Sequence, residues 1–145
     1  MDKQQELVDK YPKLFEHAWP SVNDGWLPVL DTLCGRIENY IRWQEKGGVV
    51  IVADGEEPPE EGKWMYRFFF SQIKEKFAGL RAYSYGGDDY TRGLVDMAEA
   101  YSYNICENCG SPGKEQPTGW IKTLCDPCFN DWDNIRSAKW EEKQN

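Results

Sequence analysis

The chain has 145 residues, 25 acidic and 17 basic, and a formal net charge of −8. That length fits one domain with at most a small appendage, and 40% hydrophobic with 14% aromatic residues exclude a disordered chain. The acidic excess argues against generic attraction to nucleic acid or anionic membrane, both of which seek basic surfaces.

Leu7, Tyr11, Leu14 and Phe15 give residues 3–16 the spacing of a short amphipathic helix, interrupted at Pro12. His17 to Asn23 is a predicted loop. Leu30, Leu33, Cys34, Ile37 and Ile41 then fall on one face of a clear helix. Asp24 is its candidate N-cap, Pro28 is tolerated only in its first turn, and Gly47-Gly48 end it. The β-branched run Val49–Ala53 reads as a strand, and Asp54–Gly62 as a solvated acidic loop.

Trp64–Ile73 is the strongest predicted strand. Alternation sends Trp64, Tyr66, Phe68 and Phe70 to one face and Met65, Arg67, Phe69 and Ser71 to the other. Lys74–Gly79 turns the chain and Leu80–Tyr85 returns as a third strand. Gly86-Gly87 break it, and Asp88 or Asp89 caps a helix to about Tyr103 with Leu94, Val95, Ala98 and Tyr101 on its apolar face. Trp132, Ile135 and Trp140 place a short helix in the tail. The predicted fold class is α+β. Residues 1–103 form a small three-stranded antiparallel sheet packed with two main helices, residues 104–130 a zinc ribbon, and residues 131–145 the tail.

Four of the five cysteines form one pattern: Cys106-Glu107-Asn108-Cys109, then Cys125-Asp126-Pro127-Cys128 fifteen residues on. Two residues between ligands let one tight turn aim two thiolates at one metal, and paired CxxC turns at this spacing predict a structural zinc site. Disulfides would need an oxidising compartment, and a redox CxxC would follow a strand in a βαβ unit. Four thiolates close the coordination shell, so zinc here stabilises rather than catalyses. Cys34 lies on its helix's apolar stripe and is expected to be buried.

Little else points to chemistry. The single histidine, His17, fits a surface or capping role, and no phosphate-binding loop or nucleophile elbow is present. No catalytic residue is assigned, and the chain reads as a non-enzyme. The polar run Met1–Glu6 has no signal-peptide apolar stretch, so a cytoplasmic location without membrane association is expected.

Residues 63–92 are the one basic stretch, with six basic against three acidic side chains interleaved with aromatics. Burying Leu80 and Ala82 would leave Arg67, Phe69, Arg81, Tyr83 and Tyr85 as an exposed basic aromatic patch. Such a patch suits a protein hot spot or a nucleotide. The ribbon's balance, Lys114 and Lys122 against Glu107, Glu115 and Asp126, disfavours direct nucleic-acid binding.

Several blocks carry a resemblance together: Asp24-Gly25-Trp26 with Leu30–Cys34, Gln72–Phe77 with Gly79-Leu80-Arg81, and Cys106–Gly113 with Gly119-Trp120 and Thr123-Leu124-Cys125. From about Tyr11 to Cys128 the chain resembles a family of small, functionally unassigned bacteriophage and prophage proteins. In that family the last metal ligand is often His; here it is Cys128. The resemblance implies a bacterial cytoplasmic setting, a similar zinc module and no known catalytic residues. It also implies a stoichiometric accessory role: binding and inhibiting a host protein, as in counteracting antiviral defence. The alternative function is sequestration of a signalling nucleotide on the basic aromatic sheet. The oligomeric state is left open.

Overall fold

The computed structural model describes residues 2–144, with side chains through Lys139. Helix α1 (Lys3–Lys10) is capped by the Asp2 carboxylate and buries Leu7; the turns that follow it bury Tyr11, Leu14 and Phe15. A two-residue strand β1 (Pro20–Ser21) and a 3₁₀ turn (Asp24–Trp26) lead into α2 (Leu27–Lys46). Of the expected stripe, helix α2 buries Leu30, Leu33, Cys34 and Ile37 and leaves Ile41 partly buried; Leu27 joins them, and the helix ends at Gly47. Its N-terminus corrects the expectation for Asp24. The 3₁₀ turn intervenes, Pro28 in the first helical turn has no N–H to satisfy, and the Asp24 carboxylate instead accepts from Gln4 Nε2 at 3.1 Å.

The sheet differs most from expectation. Strand β2 (Val50–Val52) pairs in parallel with β3 (Trp64–Tyr66), apart from the main sheet. The chain then breaks at Arg67-Phe68, where Gly87 N–H donates to Tyr66 O at 2.8 Å. Strand β4 (Phe69–Lys76) follows, antiparallel to β5 (Gly79–Tyr85), and β1 joins the other edge of β4 in parallel. The main sheet is therefore mixed, in the order β1-β4-β5, and replaces the predicted three-stranded antiparallel sheet. The second edge is closed by α3 (Asp89–Ser102): Leu80 N–H donates to Ser102 Oγ at 2.9 Å and Ala82 N–H to Glu99 Oε2 at 2.8 Å. With the Leu80 and Ala82 amides engaged by α3, that part of the β5 edge is covered.

The break at residues 67–68 and an irregularity between Phe70 and Gln72 each shift the alternation. Met65 is buried while Trp64 and Tyr66 are exposed, the reverse of expectation, and Phe68, Phe69 and Phe70 are all buried. The predicted turn over Lys74–Gly79 shrinks to Phe77-Ala78. Both have left-handed φ, 51° and 69°, as a two-residue turn matched to strand twist requires. Asp88 caps α3 reciprocally with Thr91, so Gly86-Gly87-Asp88-Asp89 is a turn and helix cap.

The C-terminal part holds β6 (Lys114–Gln116) antiparallel to β7 (Lys122–Leu124), then α4 (Asp126–Asn130) and α5 (Trp132–Gln144). Among the described residues there are five α-helices; α1, α2, α3 and α5 answer the short N-terminal helix, the two main helices and the tail helix expected, and α4 is additional. Helix α5 covers the predicted tail helix; the side chain of Trp140 lies outside the described residues. Among the described residues, no helix is long and apolar enough to cross a membrane.

Trp26, fully buried, donates its indole N–H to Ile105 O at 2.9 Å, and Gly25 N–H donates to Glu107 O at 2.9 Å. Thr123 Oγ donates to Ala78 O at 2.7 Å. These bonds seat the cysteine segment on the main core. A Cβ on Gly25 would stand 2.1 Å from Cys106 O and 2.6 Å from the Glu107 carbonyl carbon, backbone that no rotamer change can clear. Gly25→Ala is therefore expected to destabilise the protein by about 1–3 kcal/mol, read as a lower urea midpoint. An unchanged midpoint would contradict this seam.

Candidate metal centre

The four predicted cysteines converge. Cys106 and Cys109 sit on a turn closed by Gly110 N–H to Cys106 O at 2.9 Å and Cys106 N–H to Ser111 O at 2.7 Å. Gly110 has a φ of 85°, the left-handed geometry that lets the chain leave the turn. Cys125 precedes α4 and Cys128 lies within it, so one helical turn brings their side chains together. Asn108 Nδ2 donates to Cys128 Sγ at 3.4 Å, linking the two turns.

All four sulfurs lie within 4.8 Å of one another. The Cys109 and Cys125 sulfurs are 3.7 Å apart, far beyond the roughly 2.05 Å of a disulfide, and all five cysteines are free. A tetrahedron of sulfurs about 2.3 Å from a central ion has edges of roughly 3.8 Å. The cluster therefore has the size and donor set of a closed tetrathiolate metal site. Hydrogen bonds from the Ser111 hydroxyl and amide lower the Cys109 thiol to about 6, favouring thiolate. Burial first, and then the neighbouring thiols, push Cys128 up to about 12. A cation at the centre would let all four sulfurs stand together as thiolates.

Cys34 stands apart, fully buried in the core, where burial pushes its thiol up. His17 is exposed and packs edge-on against Phe69 at 4.9 Å between ring centroids.

Of the hairpin residues singled out in the sequence, Arg67, Phe69 and Tyr85 come together, with the Arg67 guanidinium 5.9 Å from the Phe69 ring and that ring stacked on Tyr85 at 5.6 Å, whereas Arg81 lies further along the hairpin. Phe69 is buried at 7% exposure against Tyr85 and His17, because the break before it rotates its face inward. Arg67 pairs with Glu16 at 3.1 Å. Arg81 donates to the Tyr103 hydroxyl and to its neighbour Leu80 O, each at 2.9 Å. Tyr83 and Tyr85 are exposed, as expected. Phe69 lies opposite Tyr85 and Lys74 opposite Arg81, so the two arginine regions sit near opposite ends of β4, roughly 17 Å apart at strand rise.

Two features escaped the sequence. Glu107, inside the first CxxC, is buried beside Lys122 and Asn23. Phe77 at the β4–β5 tip lies alongside Trp120 and Ile121 of the β6–β7 hairpin in one groove of about 590 Å³. The signal for the second was present: a Phe-Ala turn where Asn-Gly is preferred.

No protein-family model, curated protein or solved structure matches the chain.

Replacing Cys109 with Ser removes one ligand from a module too small to hold itself by burial alone. Metal binding supplies roughly 10–16 kcal/mol of apparent energy in comparable zinc-finger peptides. Cys109→Ser is expected to abolish metal retention and to collapse the amide dispersion of residues 104–130 in NMR spectra, while α2 signals persist. A well-dispersed, metal-free segment in that variant would contradict the metal's structural role.

Proposed function

We propose that the protein is a non-catalytic binding module, that zinc fills its cysteine cluster, and that a host protein docks on the paired hairpin tips. Phe77 carries this reading. Its φ of 51° costs a bulky residue about 1–2 kcal/mol, yet its side chain is 67% exposed. Asn or Gly would make the same turn with less strain. A strained aromatic offered to solvent serves neither folding nor solubility, and backbone strain of this kind gathers at recognition sites. Trp120, 78% exposed, and Ile121, 52% exposed, share the groove. Aromatic anchors beside aliphatic neighbours are what protein interfaces bury.

The closed tetrathiolate shell supports a structural zinc, since a catalytic ion keeps an open position. The phage-type resemblance supports a bacterial protein as the partner, with inhibition of a defence function as the consequence. The alternative, a sequestered nucleotide on the sheet, is weakened because Arg67 and Arg81 already have partners on the protein.

Phe77→Asn separates stability from binding. It is expected to keep or raise stability, by up to about 1 kcal/mol in urea unfolding, as strain is relieved. Affinity capture from bacterial lysate should retain one protein stoichiometrically on the native chain and lose it on Phe77→Asn and Trp120→Ser. Equal capture by native and variant chains, or turnover of nucleotide, nucleic acid or peptide by the purified protein, would overturn the reading.

A further inference from the structure

Glu107 is 1% exposed, and its two carboxylate oxygens fare differently. Oε2 accepts from Asn23 Nδ2 at 3.1 Å. Among the described residues, Oε1 is buried without a hydrogen-bond partner; Lys122 Nζ stands 3.6 Å away, too far to donate well. That ammonium is already engaged by Glu75 Oε1 at 2.6 Å. Two carboxyl groups thus share one ammonium where their side chains are only 2% and 23% exposed, leaving one unfilled acceptor. An unpaired buried carboxylate oxygen is unfavourable, and a charged donor would offset that.

Glu107 lines a cleft of about 1120 Å³ between the β1 region, the first cysteine turn and α5. Trp19, 44% exposed, forms part of its wall and offers an aromatic face suited to a cation. Lys139 of α5 reaches Asn23 Oδ1 at 3.4 Å, and Lys3, Lys74 and Lys122 also line the cleft, beside Asp2, Asp24 and Glu75. A purely internal strut would use both Glu107 oxygens on protein donors; here one is left over.

We infer that this cleft binds an organic cation bearing N–H donors, a primary ammonium or a guanidinium, with Glu107 Oε1 as acceptor and Trp19 as aromatic wall. The Lys139 ammonium in the cleft repels such a cation, so removing it favours binding. The site stands whether or not the hairpin tips bind a protein. Its ligand chemistry is shared by small amines and by basic side chains of a peptide.

The test is an NMR titration of the full metal-loaded chain, following the Glu107 carboxyl carbon, the Asn23 side-chain amide and the Trp19 indole. The probes are n-butylammonium, N-butylguanidinium and a capped Gly-Arg-Gly peptide. Tetramethylammonium, with the same charge and no N–H, is the control. Saturable shifts with at least one donor probe and none with tetramethylammonium are expected. Saturation by the free cations marks a small-amine site, and saturation by the peptide alone marks a partner's basic side chain. Glu107→Gln should bind roughly tenfold more weakly or worse, the loss expected for a hydrogen bond to a charged group. Lys139→Ala, which leaves the Glu107 contacts intact, should bind more tightly. No shifts with any donor probe, equal shifts with tetramethylammonium, or undiminished binding by folded Glu107→Gln would overturn the inference. Should Glu107→Gln not fold, the tetramethylammonium comparison and Lys139→Ala decide it on their own.

Discussion

Four cysteine sulfurs lie within 4.8 Å of one another, a spacing and donor set that fit a single metal ion. The rest of the C-terminal architecture is arranged around that cluster. The first cysteine turn presents Cys106 and Glu107 backbone to Gly25, and Ile105 to the buried Trp26 indole. The second continues into α4 and α5, which bring Lys139 to Asn23. Closing the site therefore positions backbone far beyond the four ligands, and the zero exposure of Trp26 and Cys106 marks how firmly the two parts meet.

The same closure reaches the surface. Glu75 accepts from the Ala78 amide with one oxygen and from Lys122 with the other, while Thr123 binds the Ala78 carbonyl. The strained turn carrying Phe77 is thus clamped by residues of β7, two to three positions before Cys125. A turn that would prefer Asn-Gly can hold Phe-Ala when neighbouring bonds over-determine it. Lys122 also lies beside Glu107, so the hairpin tips and the polar cleft share one set of supports. Under the proposed function, that rigidity limits the entropy lost when a partner binds.

What was legible in the sequence was local. The stripe of Leu30, Leu33, Cys34 and Ile37, the Asp88 cap and the paired CxxC turns each depend on residues a few positions apart. The sheet was not, because its pairing is decided at long range. Pro20-Ser21 is too short to register as a strand, yet it takes the edge of β4, and Glu99 and Ser102 of α3 satisfy the other edge. Strict alternation failed at Phe69 because the break at Arg67-Phe68 intervenes, and it leaves no mark in the order of aromatics. Glu107 looked like one more acidic residue in an acidic chain. Its burial follows only once Gly25 and Asn23 are brought against it across more than eighty positions of sequence.

X-ray absorption at the zinc edge on the purified protein tests the central claim most directly. The account predicts a full complement of zinc with four sulfur neighbours at about 2.3 Å and no oxygen or nitrogen in the shell. A shell containing water or nitrogen, a different metal, or a folded protein without metal would contradict it.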